Sequence, residues 1–407
     1  MRFTIRTYGC QMNVRDSEAV EALMLEKGYE KAESEEDADI VIINSCTVRQ
    51  KAEEKAIGKA GNMIAAGKQV WMMGCAVKRL GADLYRRLPK VSFAATPEEL
   101  AAKPEFASAH VVNGFQAFVT VMTGCNNRCS YCIVPAVRGP EKSRPEADIF
   151  AEVEFLAGKG VREVTLLGQS VLRYNGFPRL LRRIAGIDGI ERIRFTSAHP
   201  SGCTDELVEV YRDCPKVCRH LHLPVQSGSD RVLAEMGRRY TRAEYLAAVA
   251  KLRAFDPEFS VTTDVIVGYP GETEEDFEAT RSLMEEAQFD NAFVFKYSPR
   301  PGTRSALLAD DVSTEEKERR DQVLLADQER RGQKRNDALA GSVREVLVEG
   351  PSKRNPDRWS GRDSGNRIVV WDADDPASRR TPGEFARIKI LEAHPQILVG
   401  EIERRSP

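Results

Sequence analysis

Thr123 to Pro145 reads TGCNNRCSYCIVPAVRGPEKSRP, and within it Cys125, Cys129 and Cys132 stand in a C-x3-C-x2-C spacing. Three thiolates on one short loop can hold three irons of a 4Fe–4S cube. No further cysteine or histidine lies close by in the sequence to hold the fourth iron. An iron without a protein ligand can bind and polarise a small molecule. The spacing therefore predicts an iron–sulfur loop with a catalytic rather than an electron-carrying role.

Three other interpretations fit this loop less well. A structural zinc site has four ligands, yet none of the five histidines lies between Val111 and His199. A bacterial ferredoxin run has a further cysteine soon after the third, and here the next one is Cys203. A disulfide would leave an odd thiol and is typical of oxidising compartments, which nothing in the sequence indicates.

The composition is that of an ordinary soluble protein. The chain has 407 residues, enough for two or three domains, with 42% hydrophobic and 30% charged residues. Its formal net charge of −2 means that any nucleic-acid surface must be a local patch. Nine cysteines are too few for a disulfide scaffold, the sequence contains no apolar run of transmembrane length, and we expect no signal peptide from its first residues. We expect a cytoplasmic protein that does not bind membranes.

Residues 1–104 alternate between predicted strands and helices, which indicates an α/β domain with a parallel sheet and right-handed crossovers. The predicted strands are Arg2–Tyr8, Ala38–Asn44 and Val70–Met73, and the predicted helices cover 16–28 and 48–66. Each strand is followed by one cysteine, namely Cys10, Cys46 and Cys75. In open α/β sheets the carboxyl ends of the strands face a common crevice, where ligands bind.

These three cysteines are therefore expected to converge, although they lie dozens of residues apart. Any one of them alone would be interpreted as a small buried hydrophobe. Their equivalent positions instead predict the ligands of a second metal cluster. Gly9 and Gly74, each directly before a cysteine, are expected to let the backbone approach that cluster closely.

Residues 112–338 contain about six β/α repeats and predict a partial (βα)6 barrel with its chemistry at the carboxyl ends of the strands. The strand candidates are Val119–Met122, Val164–Leu167, Arg192–Thr196, His220–Leu223, Ser260–Val267 and Ala292–Lys296. The helix candidates include Ala147–Gly158, Asp205–Arg212, Arg242–Ala254 and Glu274–Glu286.

Polar residues stand at several of these strand ends, and turn chemistry explains many of them. It does not explain Asp264, which interrupts the apolar run VTTDVIVG, where an unpaired carboxylate is costly. We expect Asp264 and Gln226 to face the site. His222 fits the barrel interior and a satisfied core position equally well.

A charged helix predicted at 313–337 leads into a small all-β module at 339–407 that fits a compact barrel. Its predicted strands are Val343–Glu349, Arg367–Trp371, Phe385–Leu391 and Ile397–Glu401. A predicted loop and the residues after it mix basic groups with an aromatic ring: Lys353, Arg354, Arg358, Trp359, Arg362 and Arg367. Such a mixture suits phosphate contacts and base stacking on RNA. Taken alone, this segment fits a merely solvated loop equally well.

The central loop, with Tyr131 before its last cysteine, resembles that of the radical S-adenosylmethionine (SAM) superfamily. YGCQMN at 8–13, NSCTVR at 44–49 and GC at 74–75 narrow the resemblance to the methylthiotransferases. LHLPVQSGSD and DVIVGYPGET continue it, and VEGPSKRNPDRWSGRDSGNRIVVW looks like the RNA-binding TRAM domain of that family. SGNRIVV and FKYSPRPGT are most similar to the tRNA-2-methylthio-N(6)-dimethylallyladenosine synthases.

The resemblance implies that Cys125, Cys129 and Cys132 hold a 4Fe–4S cluster that binds SAM and cleaves it to a 5′-deoxyadenosyl radical. It implies that Cys10, Cys46 and Cys75 hold an auxiliary 4Fe–4S cluster, which supplies a sulfur methylated by a second SAM. The implied reaction is methylthiolation of carbon 2 of N(6)-isopentenyladenosine at position 37 of tRNA. The expected SAM or substrate contacts are Tyr131, Gln226, Ser227, Asp264, Ser197, His199 and Arg300.

The implied partners are the tRNA anticodon stem-loop, a reducing protein such as a flavodoxin or ferredoxin, and an iron–sulfur assembly or carrier protein. Two rival functions remain open. A sister enzyme of the family methylthiolates an aspartate of a small-subunit ribosomal protein with the same two clusters. A non-enzymatic iron–sulfur RNA-binding sensor would use the same domains without cleaving SAM.

Overall fold

The computed structural model describes residues 1–48, 50–101, 110, 114–372 and 380–403. They form a parallel α/β sheet, a partial parallel barrel and a small closed β-barrel, in that order along the chain. The fold class predicted from the sequence is thus confirmed. Among these residues, no helix combines the length and the apolar character that a bilayer crossing requires.

The N-terminal sheet is parallel throughout, and its strands follow the order β2-β1-β3-β4-β5. The strands are β1 Arg2–Tyr8, β2 Glu30–Lys31, β3 Ile40–Ser45, β4 Gln69–Met73 and β5 Phe93–Ala95. The helices are α1 Gln11–Glu26, α2 Gln50–Ala65, α3 Cys75–Leu80, α4 Ala82–Arg87 and α5 Pro97–Ala101. Every residue of the central strand β3 is buried, as expected for a strand with both faces covered.

The sequence missed two strands of this sheet and misplaced the start of one helix. β2 and β5 are short edge strands, with two and three residues, and are too short to show a pattern. The helix predicted from residue 16 begins at Gln11, so Cys10 lies directly at its start. The position of Cys10 is therefore set by the end of β1 on one side and by the start of α1 on the other.

The central part of the chain contains six parallel strands in two sheets, one of β6-β9-β10 and one of β11-β12-β13. A parallel bridge between Ile193 and Val217 joins the two sheets into one partial barrel. These six strands are β6 Gln116–Thr120, β9 Glu163–Leu167, β10 Arg192–Phe195, β11 His220–His222, β12 Ser260–Val267 and β13 Asn291–Lys296, and β7 Met122–Thr123 and β8 Lys142–Ser143 form a separate antiparallel pair. The helices are α6 Val134–Arg138, α7 Glu146–Gly158, α8 Phe177–Ala185, α9 Asp205–Asp213, α10 Asp230–Glu235, α11 Arg242–Phe255, α12 Glu274–Ala287 and α13 Thr314–Asp337.

The C-terminal strands close into a barrel in the order β14-β15-β16-β18-β17. They are β14 Val343–Pro351, β15 Arg358–Asp363, β16 Ile368–Asp372, β17 Phe385–Ala393 and β18 Ile397–Ile402. The sequence treated β15 as part of a loop, which is wrong. A Cβ on Gly361 would lie 2.3 Å from the carbonyl oxygen of Leu347, so β14 crosses β15 too closely for a side chain there. That glycine removes the alternating pattern by which strands are recognised.

The C-terminal barrel docks on the amino ends of the central strands. Arg194 donates to the carbonyl oxygen of Asp363 at 2.8 Å, and Arg192 donates to that of Glu345 at 2.9 Å. Arg367 donates from Nη2 to Asp290 at 2.6 Å and from Nη1 to Asp363 at 3.4 Å. Arg367 is buried in this contact, so its predicted RNA-binding role is wrong: its charge holds two parts of the chain together.

Arg367→Gln should weaken the whole molecule, because it removes a buried cation from between two carboxylates. We expect the free energy of unfolding to fall by about 3 kcal/mol, measured from the urea midpoint. Arg387→Gln is the matched control, since Arg387 pairs with Glu403 on the exposed surface of the same barrel. An equal midpoint for the two variants would contradict the anchoring role of Arg367.

Candidate paired iron–sulfur sites

The central cysteine loop is fixed at its base by a short antiparallel pairing of β7 with β8. The backbone N–H of Cys125 donates to the carbonyl oxygen of Gly139 at 3.1 Å. Gly124 has a φ of +72°, and a Cβ there would lie 2.0 Å from the carbonyl oxygen of Pro140. Only glycine fits this crossing, which brings the two ends of the loop together.

The tip of the loop is attached to the barrel by backbone and side-chain contacts of Ser130. Its N–H donates to the Met236 carbonyl at 2.9 Å, and its hydroxyl lies 2.8 Å from the Tyr269 hydroxyl. The neighbouring Tyr131 packs into an apolar cluster that includes Met236 and Tyr297. The loop therefore has a defined position at the carboxyl ends of the central strands.

Arg238 is a functional candidate that the sequence did not reveal. Its Nη1 lies 3.7 Å from the sulfur of Cys129, and its Nε donates to the Tyr240 hydroxyl at 2.9 Å. Its Nη2 donates to the Pro224 carbonyl at 2.8 Å. In the sequence Arg238 is simply one of two adjacent arginines after a helix, which is typical of a solvated surface. Its cation is suited to offset the negative charge of a thiolate cluster.

The three N-terminal thiols meet because their strands are adjacent, parallel and in register. Tyr8 pairs with Ser45, and Asn44 pairs with Met73, so the cysteines that follow leave the sheet at its same edge. Cys10 is exposed, whereas Cys46 and Cys75 are buried. The geometry brings together the residues that the sequence predicted to converge.

The N-terminal thiols have different pKa values. The pKa of Cys10 is lowered to about 6 because Cys46 hydrogen-bonds to its sulfur, against the opposing effect of desolvation by the surrounding residues. The same hydrogen bond and burial raise the pKa of Cys46. Burial raises the pKa of Cys75, opposed by the nearby charge of Arg138. Cys10 is therefore the thiolate, and hence the reactive thiol, of the metal-free triad.

A buried amide network supports the N-terminal thiols. Asn13 Nδ2 donates to Asn44 Oδ1 at 2.9 Å, and Asn44 Nδ2 donates to the Asn13 carbonyl at 2.7 Å. A Cβ on Gly9 would lie 2.4 Å from Asn13 Oδ1, and one on Gly74 would lie 2.3 Å from Asn44 Oδ1. From the sequence we expected both glycines to let the backbone approach a metal cluster closely. In the structure they make room for these two amides.

Both cysteine sets fit a 4Fe–4S cluster by the chemistry of their donors. Each set offers three thiols, and in each an arginine contacts one sulfur: Arg238 at Cys129 and Arg138 at Cys75. Among the described residues, no group of three or more histidine, cysteine or carboxylate side chains is arranged as a site for a single ion. Burial raises the pKa of Cys132 to about 12, so iron must displace the proton of that thiol.

The two cysteine sets are connected by Arg138, which lies on α6 six residues after Cys132. Its Nε donates to the Cys75 sulfur at 3.3 Å, and its Nη2 donates to the Asp16 carboxylate at 2.7 Å. Ile133 and Val137 of the same segment pack directly against Cys75. The segment that follows the central triad therefore contacts a thiol of the N-terminal triad, where the N-terminal sheet meets the central barrel.

Gln226, which follows β11, lies beside Asp264, the fifth of the eight residues of β12. The Gln226 N–H donates to the Asp264 carbonyl at 2.8 Å, and Gln226 has a φ of +70°. His222 Nε2 lies 3.4 Å from Asp264 Oδ2, with the carboxylate 29% exposed. His222 thus faces the same region as Asp264, whereas the sequence left its position open.

Ser227 does not present its side chain to this region, which corrects the prediction. The residue is fully buried, its hydroxyl lies 3.2 Å from that of Thr280, and it accepts from the Ser229 N–H at 3.2 Å. Ser197 is half-buried, with a φ of +62°. His199 packs edge-on against Tyr240, and burial lowers its pKa to about 4, with further effects of Arg238 and Arg173. His199 is therefore neutral at physiological pH.

Arg300 lies at the junction between the central barrel and the N-terminal sheet. Its Nε donates to the Val48 carbonyl at 3.1 Å, and its Nη1 donates to the Gln50 side chain at 3.3 Å. Those partners follow Cys46 closely in the sequence. Arg300 therefore lies close to the N-terminal thiols, and its position is not restricted to the interior of the barrel.

The predicted RNA contacts differ in how available they are. Lys353 and Arg354 are exposed in the turn between β14 and β15. Arg358 donates to Asp372 at 2.8 Å, and Arg362 donates to Glu349 at 3.0 Å. Trp359 is half-buried against the core of the small barrel, so only part of its ring is open to a base.

Three family models match successive parts of the chain. Residues 2–96 match the uncharacterized protein family UPF0004, residues 119–284 match the Radical SAM superfamily, and residues 337–402 match the TRAM domain. Two curated relatives are named tRNA-2-methylthio-N(6)-dimethylallyladenosine synthase. The one from Burkholderia mallei (strain SAVP1) is 42% identical, and the one from Burkholderia cenocepacia (strain HI2424) is 41% identical. Each alignment covers 98% of this chain and 96% of the relative.

Solved structures share the fold of much of the chain. The radical SAM methyltransferase TsrM from Kitasatospora setae, with cobalamin and a [4Fe-4S] cluster bound, has a TM-score of 0.58 at 14% identity. That match covers 75% of this chain and 74% of TsrM. The cobalamin-dependent SAM radical enzyme OxsB has a TM-score of 0.52 at 11% identity, over 75% of this chain and 54% of OxsB.

Gly74→Ala should remove the iron of the N-terminal site, because the new methyl group would collide with Asn44 and with the Ser45 carbonyl. We expect reconstituted protein to hold about four irons instead of about eight. Gly67→Ala is the matched control: Gly67 also has a positive φ, of +78°, but nothing lies within 4 Å of its new Cβ. Eight irons in the Gly74 variant would contradict the packing argument.

In cluster-free protein, Cys10 should be alkylated before the other five predicted ligands, because it is exposed and its pKa is about 6. Its rate should be nearly constant between pH 7 and pH 9, since the thiolate is already formed above its pKa. The rate at Cys125, whose pKa is raised by burial, should rise over the same range. Peptide mapping by mass spectrometry measures both, and parallel pH profiles would contradict the assignment.

Proposed function

The chain belongs to the family of tRNA-2-methylthio-N(6)-dimethylallyladenosine synthases, and on this premise we propose that it methylthiolates carbon 2 of N(6)-isopentenyladenosine at position 37 of tRNA. Its cofactors are SAM and two 4Fe–4S clusters. Two SAM molecules are used per product, one as the radical source and one as the methyl donor. Residues 1–104, 112–338 and 339–407 are the proposed cluster-binding, radical-forming and RNA-binding domains.

One observation carries the proposal: the segment that follows the central triad is packed on a thiol of the N-terminal triad. Arg138 stands six residues after Cys132 in the sequence, and its Nε lies 3.3 Å from the sulfur of Cys75. A reaction that removes hydrogen from a carbon and then places sulfur on the same carbon requires both cofactors to reach one atom. Two clusters at unrelated positions would fit electron transfer at least as well.

The central loop is the proposed radical-forming site, with Cys125, Cys129 and Cys132 as ligands. A 4Fe–4S cluster held here would, with SAM, supply the 5′-deoxyadenosyl radical that takes hydrogen from the target carbon. The chain holds the three thiols in place through Gly124 and Ser130, and the Tyr131 cluster excludes water from one side. Arg238 balances the charge of the thiolates beside Cys129.

We assign SAM contacts to the polar groups around the carboxyl end of β11 and the adjoining middle of β12. Asp264 and Gln226 are adjacent there, with His222 beside the carboxylate. Ser197 and His199 complete the proposed contacts on the neighbouring sheet, where neutral His199 can donate or accept one hydrogen bond. Arg300 is assigned to the substrate side, because it spans the junction near Cys46. Its fork of donors suits a phosphate or carboxylate.

The N-terminal triad is the proposed sulfur-donating site, with Cys10, Cys46 and Cys75 as ligands. These three thiols would hold a 4Fe–4S cluster, and that cluster would supply the sulfur. The Asn13–Asn44 pair fixes the strand ends that carry these thiols, so the site has a defined position relative to the central loop.

The proposed substrate is the anticodon stem-loop of tRNA, whose target adenine must leave its stack to reach the central strands. Lys353 and Arg354 are exposed and suit phosphate contacts, with Arg358, Arg362 and the open face of Trp359 beside them. The net charge of −2 is consistent with a local RNA surface of this kind.

Two protein partners follow from the chemistry. SAM cleavage consumes an electron, for which we propose a small reducing protein such as a flavodoxin or ferredoxin. The sulfur-donating cluster must be rebuilt after each product, for which we propose an iron–sulfur assembly or carrier protein. Both partners and tRNA are available in the cytoplasm, where we place the protein.

The two rival functions have less support. The curated relatives described above are named for action on tRNA, which favours the nucleoside over an aspartate of a ribosomal protein. The Radical SAM match favours an enzyme over a sensor.

Reconstituted protein, SAM, a reductant and isopentenylated tRNA should yield the 2-methylthio nucleoside and 5′-deoxyadenosine, both measured by mass spectrometry. Cys129→Ala should lose both products, because the radical no longer forms. Cys75→Ala should lose the nucleoside product and keep 5′-deoxyadenosine. Cys214→Ala is the control, since this free, half-buried thiol belongs to neither triad, and it should keep both products.

The proposal is wrong if the wild-type protein cleaves SAM but leaves isopentenylated tRNA unmodified. Modification of a ribosomal-protein peptide in the same assay would support the sister function instead. Absence of 5′-deoxyadenosine from reduced, iron-loaded protein would support the sensor.

A further inference from the structure

Arg138 and Asp16 form an ion pair that ends on a predicted cluster ligand. The guanidinium uses Nη2 for the Asp16 carboxylate at 2.7 Å and Nε for the Cys75 sulfur at 3.3 Å. The side chains of Arg138 and Asp16 are only 5% and 8% exposed. Water therefore screens this pair weakly, and its charges act strongly on the sulfur.

The arginine comes from the central barrel, whereas the aspartate and the thiol belong to the N-terminal sheet. Arg138 is the last residue of α6, and α6 packs on α3, whose first residue is Cys75. Asp16 lies on α1, six residues after Cys10, which is about one and two-thirds turns of helix. The guanidinium of Arg138 thus reaches Cys75 from a different part of the chain, and the Asp16 carboxylate beside that thiol orients it.

Docking of the two parts does not explain this geometry by itself. The same boundary contains a second buried group of charges, in which Arg15 and Arg144 both pair with Glu152. That group holds the two parts together without reaching a sulfur. Arg138 has its Nε on the Cys75 sulfur, so its position serves the thiol as well as the contact.

A hydrogen bond to a cluster sulfur and a nearby positive charge both stabilise the reduced cluster, which carries one more negative charge. Arg138 supplies both effects at Cys75. Asp16 opposes both effects, because the negative charge of its carboxylate lies beside the Arg138 guanidinium and offsets part of its positive charge. The two residues therefore act on the cluster with opposite signs.

We propose that Arg138, oriented by Asp16, is a positioning residue that sets the reduction potential of the cluster held by Cys10, Cys46 and Cys75. This inference rests on the proposed function, since it assumes that these cysteines hold a cluster. It assigns to the radical-forming domain a direct influence on the sulfur-donating site. The central loop and its neighbour are then linked electrostatically as well as by contact.

The test measures the N-terminal cluster alone, in full-length protein in which Cys125, Cys129 and Cys132 are replaced by alanine. After iron–sulfur reconstitution, a redox titration followed by electron paramagnetic resonance gives the midpoint potential. Arg138→Gln should shift it to a more negative value, because a cation is lost. Asp16→Asn should shift it to a less negative value, because the opposing carboxylate is lost.

Two further variants separate charge from packing. Arg138→Lys keeps the cation but lacks the planar fork that reaches sulfur and carboxylate together, so it should give a smaller negative shift than Arg138→Gln. Arg15→Gln loosens the same boundary and removes a buried cation that has no hydrogen bond to a thiol among the described contacts, so its negative shift should be smaller than that of Arg138→Gln. Melting temperatures of all variants, recorded without iron, report the packing effect by itself.

Shifts of the same sign in Arg138→Gln and Asp16→Asn would overturn the proposal, because a loosened boundary affects both alike. Unchanged potentials in both variants would overturn it as well. If Arg138→Gln does not retain iron, the shifts of the midpoint potential in Arg138→Lys and Asp16→Asn still test the opposite signs. The titration contains no tRNA and no turnover, so a failure to modify tRNA leaves its outcome intact.

Discussion

The register of β1, β3 and β4 is the constraint on which the chemistry of this chain depends. Three thiols separated by dozens of residues can share one cluster only if their strands end at the same edge. Parallel pairing of Tyr8 with Ser45, and of Asn44 with Met73, provides that alignment. A slip of two residues would move one thiol by about 7 Å, which is too far for shared ligation. The buried amides of Asn13 and Asn44 hold the strand ends against such a slip.

The two cysteine sets achieve their geometry by different means. The central loop is local in sequence, and its shape depends on Gly124 and on the attachment of Ser130 to the barrel. The N-terminal set is assembled by topology alone. In each set, an arginine from elsewhere in the chain contacts one of the sulfurs. The spacing of the cysteines does not reveal either arginine.

Much of this could be predicted from the sequence, and the failures have physical causes. β1 and β12 were predicted with their observed bounds, because long alternating or apolar runs identify strands well. β15 was missed, because barrel closure requires Gly361 where a side chain would show the pattern. Arg367 was assigned to RNA because an arginine buried against Asp290 looks identical, in sequence, to an exposed one. Arg238 and Arg138 were not identified as sulfur contacts, because such contacts depend on tertiary structure.

The C-terminal barrel contacts the amino ends of the central strands, whereas the thiols and polar groups lie at the carboxyl ends. β12 has eight residues, which at about 3.3 Å per residue separates its ends by roughly 25 Å. A mononucleotide is far shorter than this separation and is held at one end at most. A folded stem-loop is long enough to be held at both ends at once. The length of β12 therefore sets the distance between the C-terminal barrel and the carboxyl ends of the central strands, whatever side chains stand at either end.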